Sequence, residues 1–219
     1  MSKKKLGRIE KPSVQKYAAG RKLYCVPLVF SGKDAPEDYQ KLYDTYWTEV
    51  KEHIEKLGKV GRAAKIYHES IYSADQDSLE SIKQQNKRSH ELVESEISQG
   101  AELIALEEKR LFGEYMDWGV CLSIVRTPEV AEKIQNFYLE AEKRRGEYIL
   151  KQIDETLKDG EAGILLMKDE NRIRIQPKLP SDIHVFLVHP PALNDVSQWI
   201  RDRIRDTYKK LRESVDSTS

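Results

Sequence analysis

Two histidines and several carboxylates stand where apolar runs end: His68 and Glu69 after Ala63 to Tyr67, Glu107 and Glu108 after Ala101 to Leu106, and His189 after Ile183 to Val188. If those runs are neighbouring parallel strands, the residues gather at the carboxyl end of a sheet, where open α/β folds collect ligands. Imidazole titrates near neutrality and a carboxylate can orient it, so His68, Glu107, Glu108 and His189 form a candidate acid/base set for a hydrolase. His68, Glu69 and His189 are also candidate ligands of a divalent metal. Either chemistry requires the three strands to lie close together. The plainer account leaves His189 abutting a helix start beside Pro190 and Pro191, with Glu107 and Glu108 as solvated loop acids.

Stronger signatures are missing. The chain has no Gly-x-x-x-x-Gly-Lys-Ser/Thr phosphate loop, no Gly-x-Gly-x-x-Gly turn, no Gly-x-Ser-x-Gly elbow and no His-Glu-x-x-His. Its two cysteines, Cys25 and Cys121, are far apart and form no Cys-x-x-Cys pair. Cys121 has no base near it in sequence and reads as a buried packing thiol.

A second candidate surface is basic. Arg201, Arg205, Lys209 and Arg212 fall at i, i+4, i+8 and i+11 along one side of a C-terminal helix, and Lys143, Arg144 and Arg145 cluster on an earlier one. Both are candidates for phosphate-backbone contact. Asp202 and Asp206 interleave with the first group and Glu140 and Glu142 precede the second, which suits an ion-paired, solvated helix face instead. Residues 1–20 carry Lys3, Lys4, Lys5, Arg8 and Lys11 with little apolar periodicity and read as a flexible basic arm, solvated or in contact with RNA.

The elements that must position these groups can be traced in order. Leu23 to Phe30 is a strand, with Pro27 placing it at an edge or bulge. Pro36 and the acids around it open a helix whose Tyr39, Tyr43, Tyr46, Trp47, Val50, Ile54 and Leu57 recur at helical spacing. Ala63 to Tyr67, a helix from Ser73 to Ser98, and Ala101 to Leu106 make a β-α-β unit with parallel strands. Asn86 and His90 interrupt the apolar face of that helix one turn apart, either hydrogen-bonded near an open sheet edge or looking into a cleft.

Glu107 to Val125, with Gly113 and Gly119, suggests one or two short helical turns. Thr127-Pro128-Glu129 then starts a helix of roughly 45 Å, with Gly146 a candidate bend. Ile164 to Met167 reads as a buried strand, the turn formers Lys168 to Asn171 follow, and the alternating Arg172-Ile173-Arg174-Ile175 reads as a half-exposed strand returning in a hairpin. Ile183 to Val188 is a further strand. Leu193, Val196, Ile200, Ile204 and Leu211 mark the last amphipathic helix, and residues 214–219 read as a disordered tail.

The expected fold is thus a single α/β domain over 21–213, a mixed, mostly parallel sheet of about five or six strands with helices packed on it. Its 219 residues can bury a substantial core, and no linker divides them. Lys plus Arg and Asp plus Glu both number 37, so no global field advertises a nucleic-acid or membrane partner. No apolar run approaches the roughly 18 residues of a membrane span, and no apolar segment follows the basic start, so a cytoplasmic setting is expected.

The segments Lys65-Ile-Tyr-His-Glu-Ser, Met116-Asp-Trp-Gly-Val-Cys-Leu-Ser and Ser181-Asp-Ile-His-Val-Phe-Leu-Val-His-Pro-Pro-Ala-Leu resemble those of an uncharacterised prokaryotic protein family, over about residues 22 to 206. That resemblance implies no activity. Glu147 to Met167 is similar to the helix-then-strand entry of α/β domains in archaeal and eukaryotic peptide-release-factor relatives, but no Gly-Gly-Gln motif occurs, so peptidyl-tRNA hydrolysis is not implied. Taken together, the residues predict a soluble binding or regulatory module without its own catalysis, with cofactor and partner left open. The two competing readings are a metal-assisted or acid/base hydrolase and an RNA- or ribosome-associated factor.

Overall fold

The computed structural model describes residues 20–216. In chain order the elements are β1 (Arg21–Pro27), α1 (Glu37–Leu57), β2 (Ala63–His68), α2 (Gln76–Gln85), α3 (Lys87–Ser98), β3 (Glu102–Ile104), α4 (Lys109–Ile124), α5 (Pro128–Thr156), β4 (Ala162–Met167), α6 (Asp169–Ile175), β5 (Ile183–Leu187) and α7 (Pro191–Asp216). The five strands form one sheet in the order β3-β2-β4-β1-β5, and every pairing is parallel.

Alternation along the strands divides the core in two. Tyr24 and Val26 of β1, Ile66 of β2 and Ile164 and Leu166 of β4 face α1, α3 and α7, while Leu23, Cys25, Tyr67, Leu165 and Met167 face α5 and α6. Burial on both faces explains the continuous apolar runs of β1 and β4. Gly163 is required by this packing: a Cβ there would lie 2.8 Å from the ring of Tyr67, whose hydroxyl reaches Thr156 Oγ1 at 2.8 Å.

Four expected elements differ. Pro27 marks neither an edge nor a bulge: it is the last residue of β1, which pairs with β4 and β5 on its two sides. Arg172 to Ile175 is not a returning strand but the end of α6, so the sheet is wholly parallel. A parallel crossover from β4 to β5 excludes a hairpin, the acids Asp169 and Glu170 suit a helix start, and of the two isoleucines only Ile175 is buried. The segment expected to form short turns is one continuous helix, α4, because Glu108 caps it: its carboxylate accepts from the N–H groups of Arg110 and Leu111 at 2.9 and 2.8 Å.

The helix expected from Ser73 to Ser98 is broken at Asn86, which lies in extended backbone and caps α3 by accepting from Ser89 N–H at 3.1 Å. Of the two terminal expectations, residues 214–216 belong to α7 instead of a disordered tail, and the basic arm, apart from Gly20, lies outside the described residues. Among the described residues no helix is long and apolar enough to cross a membrane.

Candidate functional site: the crevice where the connections diverge

The strand order creates a crevice at the carboxyl end of the sheet. β1 and β2 lead into α1 and α2 on one face, whereas β4, lying between them, leads into α6 on the other. Adjacent strands whose connections part in this way leave an opening above their ends, the usual ligand position in doubly wound folds. Here it is a cavity of about 470 Å³, reached by Leu28 and Phe30 beyond β1, His68 to Ser70 beyond β2 and Lys168 to Asn171 beyond β4.

The side of the cavity beyond β1 is held by side chains. Residues 28–30 lack a full ladder, and their neighbourhood's carbonyls are taken up one by one: Tyr46 hydroxyl donates to Pro27 O at 2.5 Å, Asn86 Nδ2 to Val29 O at 2.8 Å and Tyr39 hydroxyl to Phe30 O at 2.7 Å. Tyr43 hydroxyl in turn donates to Asn86 Oδ1 at 2.7 Å. The helical tyrosines and the break at Asn86 therefore serve one purpose, which is to fix this backbone segment. Asn86 is thus hydrogen-bonded, beyond an interior strand and not at a sheet edge, and it also borders a separate cavity with Tyr43, Asp44 and Arg88. His90 is buried on α3 with Nδ1 3.4 Å from Glu94.

Beyond β2 the chain turns through Ser70, whose φ of 71° is the only positive value at a described non-glycine residue. A left-handed conformation costs a serine about 1 kcal/mol or more, and such strain concentrates at ligand sites. His68, just before it, is buried, with protein atoms against both nitrogens. A carbonyl cannot donate, so the 2.7 Å contact with Glu69 O places a hydrogen on Nδ1, and Nε2 faces Ser89 Oγ at 3.3 Å, a hydroxyl whose single hydrogen goes to Asn86 O at 2.9 Å. Burial pushes the imidazole down to about 4, partly countered by that Glu69 contact, so the ring is neutral near pH 7.

Below the cavity runs a buried ionic wall. Arg145 of α5 donates from Nε to Glu107 at 2.9 Å and from Nη2 to Glu107 at 2.5 Å and to Glu69 at 2.9 Å. All three residues are 5% exposed or less, so the ion pairs lie largely out of solvent. Two carboxylates face one guanidinium, and backbone and amide donors hold the excess: Lys168 N–H reaches Glu69 at 2.8 Å, Asn171 Nδ2 reaches Glu69, and Ser70 N–H lies 3.4 Å from Glu107. Burial opposes the charge on Arg145, but its hydrogen bonds to Glu107 and the two carboxylates raise its pKa above that of a free guanidinium. Its plane lies over the rings of Phe112 and Tyr115 of α4, at 5.4 and 4.8 Å, and both rings line the cavity.

The candidates from sequence are sorted by this arrangement. His68, Glu69 and Glu107 are brought together, as wall and floor instead of as free reacting groups. Glu108 is not among them: it is the cap of α4, and those two backbone N–H groups hold its carboxyl below the usual range. His189 is also apart. Two strands, β4 and β1, lie between β2 and β5, which sets it roughly 14 Å from His68 at about 4.8 Å per strand. It is exposed, with Nε2 3.3 Å from Asn194 Oδ1. The metal set His68, Glu69 and His189 is therefore not assembled, and among the described residues no group of three or more His, Cys, Asp or Glu is placed to hold a metal.

The basic faces do not form one surface. Arg145 points into the core, Arg144 pairs with Glu114 at 2.5 Å, and Arg205 pairs with Asp202 at 2.8 Å. Arg201 donates to Gln198 at 2.9 Å, Lys209 is exposed, and the Arg212 side chain lies outside the described ones. Cys121, expected to be buried, is half-exposed on α4.

Sequence reasoning placed Arg145 on a basic surface instead of in the core, and passed over Lys168 and Asn171. Arg145 had a visible signal: Ala141, Arg145, Ile149 and Ile153 share one i, i+4 row, and all four are buried. An arginine inside an apolar row calls for a buried acid. Lys168 and Asn171 had none, because they read as ordinary turn formers. No protein-family model, curated protein or solved structure matches this chain.

Proposed function

We propose that the protein is a binding or regulatory module whose ligand occupies the crevice above β1, β2 and β4, and that it carries out no chemistry there. The observation that carries this reading is that the reactive-looking groups are already committed. Arg145 engages both carboxylates, and His68 is neutral and buried, with Nδ1–H donated to Glu69 O and Nε2 turned to Ser89 in the interior. A general base needs a free lone pair within reach of substrate. What the cavity offers instead is aromatic and thioether surface from Phe30, Tyr72, Phe112, Tyr115 and Met116, the hydroxyl and amide of Ser81 and Gln85, and the Lys168 ammonium resting 5.5 Å above Phe30. Such a lining suits a small, largely flat organic molecule with one anionic or strongly accepting group placed against Lys168.

A thermal-shift screen against nucleotides, phosphorylated metabolites and aromatic acids tests it, since a ligand of the native state must raise stability. A stabilising compound should lose its effect in Lys168→Ala while the melting temperature of the free protein stays within about 2 °C. The competing hydrolase reading takes over if a measured turnover disappears in His68→Ala with the melting temperature unchanged.

A further inference from the structure

A second cavity, of about 350 Å³, opens on the other side of the Arg145 wall, between α5 and α6. Its floor is apolar, made by Ile149, Met167 and Ile175, and its rim is cationic, with Lys143, Arg174 and Lys178 around one acid, Glu142. Arg174 is ion-paired with Glu142. Lys143 and Lys178 are exposed and have no partner among the described residues, so two uncompensated ammonium groups border one concavity.

The helix leaves room for an occupant. Gly146 sits in the interior of the 29-residue α5, where glycine costs about 1 kcal/mol relative to alanine. Packing does not demand it, because a Cβ there would meet Ile175 Cγ2 at 3.8 Å, an ordinary contact. It lines the cavity beside the cationic rim. We infer that this cavity is a binding site for a small phosphorylated compound, with Lys143 and Lys178 receiving the phosphate and the rest of the molecule lying over the apolar floor.

This site shares only Asn171 among its lining residues with the crevice above the strands, so the two can be tested apart. The experiment is calorimetric titration of the whole chain at low salt with inorganic phosphate, pyrophosphate and ribose 5-phosphate as probes. Ribose 5-phosphate should bind more tightly than inorganic phosphate, and Lys143→Glu and Lys178→Glu should each weaken it by about tenfold. Gly146→Leu, which favours the helix while filling the floor, should abolish binding at an unchanged or higher melting temperature. Lys168→Ala should leave it unaltered. Failure of all three probes to bind below about 10 mM, a very weak affinity by any measure, or binding that survives Gly146→Leu, overturns the assignment.

Discussion

Both β2 and β5 lead into a histidine after an apolar run, yet the two ends do opposite things. His68 lies in the interior of the sheet with helices on both sides, so its ring is buried and both nitrogens face protein atoms. His189 follows an edge strand and stays exposed, with one contact to Asn194. The composition of a strand end is therefore a poor guide to its role. What matters is whether neighbouring strands continue past it and whether their connections part above it. At β2 they do, and the same few residues that read as reactive become the fixed frame of a cavity.

The largest break in this comparison is at the wall. Arg145→Met should cost about 3–5 kcal/mol, because it leaves Glu69 and Glu107 buried without their cation. Urea unfolding measures it; a loss under about 1 kcal/mol would mean that water reaches both carboxylates. The next effect is pH-dependent. The unfolded chain protonates His68 near its ordinary value, whereas the folded chain resists until about 4. Stability from this residue is thus intact above about pH 6.5 and falls as pH drops from there towards 4, by roughly 3 kcal/mol over the whole window. His68→Asn should flatten that part of the stability–pH curve, and an unchanged slope would assign it to other groups.

Smaller still is Ser70→Gly, which relieves the left-handed strain but adds unfolded-state freedom, for a net gain of about 0.5 kcal/mol. A clear loss would show that the Ser70 side chain matters more than its backbone. His189→Ala closes the series. It should change stability by no more than about 0.5 kcal/mol, as surface substitutions do, and a larger loss would erase the contrast between the two histidines.

The parallel β-α-β core was legible because apolar runs, caps and helical spacing are local signals. Tyr39 to Ile54 announced α1, and Thr127-Pro128 announced α5. Arg172 to Ile175 was not, since a four-residue alternation fits a strand or an amphipathic turn equally and the crossover from β4 decides between them. The candidate site was half legible. His68, Glu69 and Glu107 follow strands and could be named, but strand order separated His189 from them and a cap used up Glu108. Arg145 is 38 residues from Glu107 and 76 from Glu69, and only folding brings such partners together.

The most direct measurement is hydrogen exchange with and without the best compound from the stability screen. The account predicts slowed exchange at residues 28–30, 68–72 and 168–171, the segments that follow β1, β2 and β4 into the crevice, with the amides after β5 unchanged. Protection centred on His189 and α7, with none at 68–72 or 168–171, would contradict it.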